Sequence, residues 1–229
     1  HPCSKRLILK PYKGIYQEKA NFKLRSTLAK LLLGGFLMKR WALFLVLLLV
    51  CSVTYAAPKV LFEEDFTSEI DAWLSDSDAW TIEEGSLMFP SVGFGDIFAG
   101  DEDWEDYIFE VDVMPLEYGQ YGSVRLFFRM NELWNGYGLA IHPDGFMVHR
   151  FDGNWDKHLI LSNEANPKFP PNTTVHIKIE VKKNTIKIST NDKVIFEGED
   201  PDDVYFAGMI GFRADHSAVK ISKVKVSTL

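Results

Sequence analysis

The stretch Thr174-Val175-His176-Ile177-Lys178-Ile179-Glu180-Val181 decides the fold, because every second residue from Val175 onward is β-branched and apolar. A period of two buries one face of a strand and leaves the other in solvent, which is typical of antiparallel sheets. The same period returns at 185–189 and 219–226. We therefore expect a protein built from amphipathic antiparallel strands.

Further strands are predicted where the alternation returns after Pro58, with turn signals such as Glu84-Gly85 and Asn191-Asp192 between them. Only 68–74 looks helical, over one or two turns. Many short strands without a long helix predict an all-β fold, a two-sheet antiparallel jelly-roll sandwich with about a dozen strands and at most one short helix. The other predicted strands are 59–63, 80–84, 86–90, 95–99, 106–114, 122–130, 137–142, 145–151, 157–162, 193–197 and 208–213.

Residues 38–56 have the organisation of a secretory signal peptide. Met38-Lys39-Arg40 is a basic start, Trp41–Val50 is an unbroken apolar run, and Thr54-Tyr55-Ala56 supplies the small residues of a cleavage site. A transmembrane helix would need roughly 20 apolar residues, and the residues before Cys51 fit a lipoprotein signal poorly. We expect cleavage after Ala56 and a secreted or periplasmic product.

Residues 1–37 contain a single acidic residue, Glu18, and Gly34-Gly35 stands shortly before Met38. We interpret this segment as a non-native, untranslated extension, in which a purine-rich ribosome-binding site is read as glycine codons. A genuine basic targeting extension is the alternative. The fold prediction therefore concerns residues 57–229, which are enough for one domain with a sizeable core.

Residues 57–229 are strongly acidic. Residues 1–56 hold ten of the 25 basic residues but one of the 32 acidic ones, so the remainder has a net charge of about −16. This charge argues against nucleic acid or an anionic membrane as partner, since both require basic patches. Both cysteines, Cys3 and Cys51, precede residue 57, so the predicted domain has no disulfide and depends on its core.

The chain resembles the concanavalin A-like jelly-roll domains of lectins and glucanases. It is similar in particular to the 3-keto-disaccharide hydrolase-like and laminin-G-type carbohydrate-binding domains. The resemblance implies a glycan bound or processed on the concave sheet or its rim. The segments that show it are Phe62–Phe66, Trp80–Leu87, Tyr107–Val113, Val124–Arg129, Asn135–Leu139, Ile186–Phe196 and Gly208–Phe212.

Aromatic and arginine side chains on neighbouring hairpins are the candidate ligand contacts. Sugars are bound by a flat ring against their C–H groups and by planar charged donors that orient hydroxyls. On a strand, Arg125 and Arg129 would share one face. The alternative is that the rings are core residues and the arginines pair with acids. The candidates are Arg125, Arg129, Trp134, Tyr137, Arg150 and Trp155.

No catalytic residue is expected from the carboxylates. Glu110 and Asp112 resemble the start of the E-x-D-x-x-E strand of laminarinase-type glycosidases, but Pro115 follows where a retaining enzyme needs its second working carboxyl. Two acidic loops, 101–106 and 200–203, are candidates for a structural calcium without a defined ligand register. The histidines show no zinc-ligand spacing, so no cofactor is predicted.

We therefore expect a secreted domain that binds carbohydrate non-covalently. The first alternative is a glycoside-processing enzyme, which would need a carboxylate, a histidine and an arginine in one pocket. The second is a structural or adhesion domain, which would present a large flat apolar patch to a protein partner. The identity of the glycan and the oligomeric state are left open.

Overall fold

In a computed structural model, residues 57–67, 72–90, 93–153, 157–202 and 204–229 are described, with the backbone alone for 157–164. The predicted leader, the 1–37 extension and residues 68–71 of the predicted helix lie outside these residues. Every regular element described is a strand. The strands are β1 (Val60–Glu64), β2 (Trp73–Ser75), β3 (Thr81–Ile82), β4 (Leu87–Phe89), β5 (Phe94–Ala99), β6 (Tyr107–Met130), β7 (Asn135–His142), β8 (Gly145–Asp152), β9 (Lys157–Glu164), β10 (Val175–Lys182), β11 (Thr185–Thr190), β12 (Lys193–Glu199) and β13 (Met209–Thr228).

The strands form two antiparallel layers that share β6 and β13. In sheet I, the first half of β6 pairs with β10 and with the second half of β13, and β11, β12, β1, β4 and β3 complete it. In sheet II, the second half of β6 pairs with β7 and with the first half of β13. β8 and β9 continue sheet II on one side, and β5 and β2 on the other. The predicted jelly-roll sandwich is confirmed.

The core lies between the two layers and follows the period-two pattern. From sheet I, Phe109, Val111 and Ile177 are fully buried, and from sheet II Leu126 and Phe212 meet them. The predicted turns at Glu84-Gly85 and Asn191-Asp192 separate strands, and their four residues have the positive φ of tight hairpins. No helix in the described part of the chain is long and apolar enough to cross a membrane.

β6 and β13 are each continuous where the sequence predicted two strands. Both bend at one place, because Gly119 and Gly122 of β6 lie against the carbonyl oxygen of His216 in β13. A Cβ on either glycine would lie within 2.7 Å of that oxygen. The register of β13 shifts between Asp215 and Ser217 at the same point. This close approach joins residues about 95 positions apart, so the alternation pattern alone did not reveal it.

The helix predicted over 68–74 is wrong for its last two residues, because Trp73–Ser75 forms strand β2 at the edge of sheet II. Its pairing with β5 buries the Trp73 ring, which stacks on Phe212 at 5.6 Å between centroids. Burial of this ring and ladder hydrogen bonds together override the weak local preference for a helix.

Candidate functional site

The outer face of sheet II, turned away from the core, concentrates polar and aromatic side chains. On β6, Val124, Leu126 and Phe128 enter the core, so Arg125 and Phe127 lie on the outer face. A second apolar cluster forms there around Phe127, separate from the main core. Sheet II therefore has two packed faces, one of them outside the sandwich.

A charged row crosses this face. Asp96 of β5, Arg213 of β13 and Arg125 of β6 are register partners on three adjacent strands. Arg213 donates to both carboxylate oxygens of Asp96, and Arg125 Nη2 lies 3.2 Å from Asp215 Oδ2. Burial raises the pKa of Asp96 to about 6, against the lowering effect of Arg213. We call Asp96, Arg213 and Arg125 the charged row.

Arg125 keeps a donor that the protein does not use. Its Nε is buried without a hydrogen-bond partner, as is the neighbouring Ser123 Oγ. The pKa of Arg125 is lowered, mainly because burial disfavours its charge, and the nearby carboxylate of Asp215 offsets part of this effect. Unpaired buried polar atoms are uncommon in folded proteins and call for a water or a ligand. This end of the charged row is therefore chemically incomplete in the protein alone.

A row of rings runs beside the charged row, over glycines on the intervening strands. Phe98 and Phe127 stack at 5.5 Å between centroids, and Phe127 meets Phe151 edge to face at 5.4 Å. A Cβ on Gly211 would lie 2.3 Å from the Phe98 ring, and one on Gly138 would lie 2.8 Å from the Phe151 ring. The missing side chains let rings from alternate strands meet across the sheet.

Trp134 borders both rows at the turn between β6 and β7. Its ring meets Phe98 edge to face at 5.0 Å, and Arg213 Cζ lies 5.3 Å from its centroid. The side chain is half-buried, so part of the indole remains available to a ligand. Trp134 adopts a positive φ of 63°, and its carbonyl accepts from Gly153 N at 3.2 Å.

Arg129 lies apart from the charged row, although alternation placed it on the face of Arg125. Its φ of 50° turns the chain out of the strand conformation, and its side chain is 1% exposed. The guanidinium donates to the carbonyls of Glu105, Lys183 and Tyr205 and to the Asp106 carboxylate. Arg129 thus ties three chain segments together.

Tyr137 and Arg150 also lie elsewhere, in a buried acidic network. Arg150 pairs with Asp152 at 3.0 Å, Asp200 at 3.0 Å and Asp202 at 2.6 Å, and Tyr137 Oη donates to Asp200 at 2.9 Å. Burial opposes the charge on Arg150, but hydrogen bonds to Asp202 and Asp152 raise its pKa. Trp155 lies outside the described residues, so its role stays a prediction. Arg125 and Trp134 are the two predicted contacts that border Arg213, Arg125 as its register partner and the Trp134 ring at 5.3 Å from its Cζ.

Glu110 and Asp112 lie on the outer face of sheet I, far along β6 from the charged row. Asp112 contacts His176 Nδ1 and Lys223 Nζ, each at 2.8 Å. Although burial acts to raise the pKa of Asp112, hydrogen bonds from Lys223 and His176 lower it. Glu110 lines a pocket of about 320 Å³ beside His176 and Lys223.

The two acidic loops make contacts within the protein. Asp106 pairs with Arg129, Glu102 accepts from Glu132 N at 2.7 Å, and Asp200 belongs to the Arg150 network. In the described part of the chain, no three His, Cys, Asp or Glu side chains are grouped to hold a metal ion.

Sequence reasoning missed Asp96, Phe98 and Arg213. The signal was present in Phe94-Gly95-Asp96-Ile97-Phe98-Ala99, where Ile97 and Ala99 enter the core while a charge alternates with two rings on the other face. A buried face that carries a charge needs a counter-charge. The partner, Arg213, is 117 residues away, so only the pairing of β5 with β13 reveals it.

The two sheets, their shared long strands and the polar outer face define a concanavalin A-like jelly-roll domain of the lectin and glucanase class. Within that class, the chain belongs to the 3-keto-alpha-glucoside-1,2-lyase-like family, whose sequence model matches residues 57–227. No protein of curated function matches the sequence.

Solved structures share the fold at low sequence identity. The carbohydrate-binding module CBM66 from Bacillus subtilis has 20% identity and a TM-score of 0.59 over 69% of this chain and 96% of the module. The Bacillus licheniformis β-glucanase has 9% identity and a TM-score of 0.57 over 76% of this chain and all of the enzyme. The Ca²⁺- and mannose-bound lumenal domain of VIP36 has 11% identity and a TM-score of 0.54, over 69% and 83% of the two chains. At sequence identities this low, the similarity shows a shared fold.

Proposed function

We propose that the outer face of sheet II binds a carbohydrate through Arg125, Arg213 and Trp134. The observation that supports this most is the unused Arg125 Nε, on the strand next to Arg213, whose guanidinium borders the half-buried Trp134 indole. A planar guanidinium orients pairs of hydroxyls, and an aromatic face accepts the C–H side of a sugar ring. The family is named for α-glucosides, and the similar structures include a carbohydrate-binding module, a glucanase and a mannose-bound domain.

The remaining groups of the face act as positioning residues in this proposal. Asp96 holds the Arg213 guanidinium, which also lies 5.6 Å from the Phe127 centroid. Held on two sides, Arg213 loses little side-chain freedom when a ligand binds, which lowers the entropic cost of association. Asp215 holds Arg125 by one nitrogen, and a sugar hydroxyl would satisfy Nε if the side chains that cover this buried atom move aside on binding.

A glycan array followed by titration of the best glycan tests the proposal. Trp134→Ala removes the ring, and we expect a loss of affinity of about two- to tenfold, the value of one stacked ring. Leu133→Ala is the matched control, since Leu133 is a 72% exposed apolar residue in the same turn. Unchanged affinity in a folded Trp134→Ala protein would place the site elsewhere.

A second candidate is elimination chemistry on a 3-keto glucoside, favoured by the carboxyl of Asp96. Its pKa of about 6 lies close to neutral pH, but both of its oxygens accept from Arg213, so it acts as a base only if a ligand displaces that guanidinium. The C3 ketone acidifies the C2 proton. A base removes that proton, the C1–O bond breaks, the leaving oxygen takes up a proton and departs as an alcohol, and a C1=C2 double bond forms. Ultraviolet absorbance of the resulting enone would report this reaction. Absorbance that does not depend on Asp96→Asn would remove Asp96 from the candidate mechanism.

We also propose export, on the basis of the 38–56 leader. Cleavage after Ala56 would release residues 57–229, the part of the chain in which the described face lies. Intact-mass analysis of material from the natural host distinguishes a product that starts at Ala57 from one that retains the leader.

A further inference from the structure

Partly exposed apolar side chains lead from the candidate site to the edge of sheet II. Leu74 of β2 is 65% exposed, and Phe98 of β5 and Trp134 are half-buried. A single exposed leucine is ordinary on a protein surface. Here the leucine extends a pair of contacting rings, and we call Leu74, Phe98 and Trp134 the apolar strip.

The apolar strip is continuous on the outer face of sheet II. Trp73 enters the core, so alternation places the next residue, Leu74, on the outer face. Leu74 and Phe98 are register partners on paired strands, and the Cβ atoms of such partners lie about 4.5–5.5 Å apart. The Phe98 ring in turn meets the Trp134 indole edge to face at 5.0 Å between centroids.

The apolar strip is the open part of the row of rings. Phe127 and Phe151, on β6 and β8, form the other part of that row and are almost completely buried by the protein itself. Leu74 and Phe98, on β2 and β5, keep apolar surface in contact with water. Covering this surface with an apolar group of a ligand is favourable, because it removes both partners from water.

The apolar strip borders the charged row at Arg213. The Cζ atom of Arg213 lies 5.3 Å from the Trp134 centroid. β13, β5 and β2 are neighbouring strands, about 4.8 Å apart. Phe98 and Leu74 therefore lie one and two strand spacings, about 5 and 10 Å, from the strand of Arg213. Charged donors and apolar side chains thus lie within the length of one small ligand.

We infer that the site takes glucosides with an apolar aglycone, an alkyl chain or an aryl ring, which lies on the apolar strip while the sugar lies at the charged row. The inference rests on the proposed carbohydrate binding by Arg125, Arg213 and Trp134. The donors of the charged row orient the sugar hydroxyls, and Phe98 and Leu74 shield the aglycone from water. Ligand sites in general combine a few placed polar groups with a largely apolar lining.

Calorimetric titration with methyl, butyl and hexyl α-glucoside tests the inference. Affinity should rise along this series, by up to about fourfold for each methylene group that the apolar strip covers. The heat-capacity change of binding should be more negative for hexyl than for methyl α-glucoside, because more apolar surface is buried. Leu74→Ala should weaken the binding of hexyl α-glucoside by about threefold or more and leave methyl α-glucoside binding unchanged.

Val194→Ala is the matched control for Leu74→Ala. Val194 is also an exposed apolar residue on a strand, but it belongs to β12 of sheet I. Its truncation should leave the affinity for all three glucosides at the wild-type value. Dichroism of both variants shows that a lost affinity is not a lost fold.

The outcomes separate the inference from the proposal beneath it. If affinity does not rise from methyl to hexyl α-glucoside, or if Leu74→Ala leaves the affinity for hexyl α-glucoside unchanged, the aglycone site is wrong while carbohydrate binding stands. If none of the three glucosides binds at millimolar concentration, the proposed binding of glucosides to this face fails, and the inference fails with it.

Discussion

Arg150 and Arg125 are both buried arginines of sheet II, but their guanidinium groups differ in how many partners the protein gives them. Arg150 directs its guanidinium to three aspartates, and Asp200 among them is 1% exposed. Arg125 has one carboxylate partner, Asp215, and an unused Nε. The first arginine is satisfied by its own chain, and the second keeps one buried donor without a partner.

The presence of an arginine on a sheet face therefore does not by itself mark a ligand-binding surface. A guanidinium whose donors all meet protein acceptors stabilises the fold, as in the case of Arg129 and its three carbonyls. A guanidinium with an unsatisfied buried donor has a cost that a bound hydroxyl can remove. Mutation of the first kind of arginine should therefore cost mainly stability, and mutation of the second kind mainly ligand affinity.

The largest effect is expected for Arg150→Ala. It leaves Asp200 buried without its cation, and breaking a buried pair costs about 3–5 kcal/mol of unfolding free energy. Urea denaturation measures the loss. Lys168→Ala is the control, since Lys168 and Asp144 form an exposed pair at 3.8 Å whose loss should be within about 1 kcal/mol. If Arg150→Ala lowers the unfolding free energy by less than about 1 kcal/mol, Arg150 does not stabilise the fold in the way that separates it from Arg125.

The pH dependence of the unfolding free energy should show a smaller effect, which comes from Asp96. Its pKa is about 6 in the folded protein and 3.8 in the reference state, so the folded protein binds more protons between these values. The stability contribution is therefore present at low pH and is lost as the pH rises through about 6, by roughly 2–3 kcal/mol in total.

The measurement is the unfolding free energy of wild type and Asp96→Asn over this pH range, compared as slopes. Asp144→Asn, which removes an exposed carboxylate by the same substitution, is the matched control. Identical slopes for wild type and Asp96→Asn would mean that folding does not shift the pKa of Asp96, and the second candidate function would lose the raised pKa on which it depends.

Much of the fold was predictable because it depends on local alternation. The pattern of Val175–Val181 placed β10, and the Asn191-Asp192 turn separated β11 from β12. The continuity of β6 through its bend was not predictable, because it rests on contacts with His216 from a distant segment.

The candidate site was predictable only in part. Alternation placed Arg125 correctly, but a single positive φ at Arg129 ended the pattern and moved that side chain elsewhere. Tyr137 and Arg150 were chosen for their chemical type, and their partner Asp200 follows some 50 residues later. Asp96 and Arg213 become neighbours only when β5 pairs with β13.

Arg125→Ala tests the central claim most directly, with glycan affinity and unfolding free energy measured on the same protein. We expect a stability loss of about 1 kcal/mol or less, because Asp215 is partly exposed and keeps His216 as a partner. We expect glycan affinity to fall by about tenfold or more, the value of a hydrogen bond to a charged group. A variant that binds like wild type but is as unstable as Arg150→Ala would contradict the account, since Arg125 would then serve the fold and not the ligand.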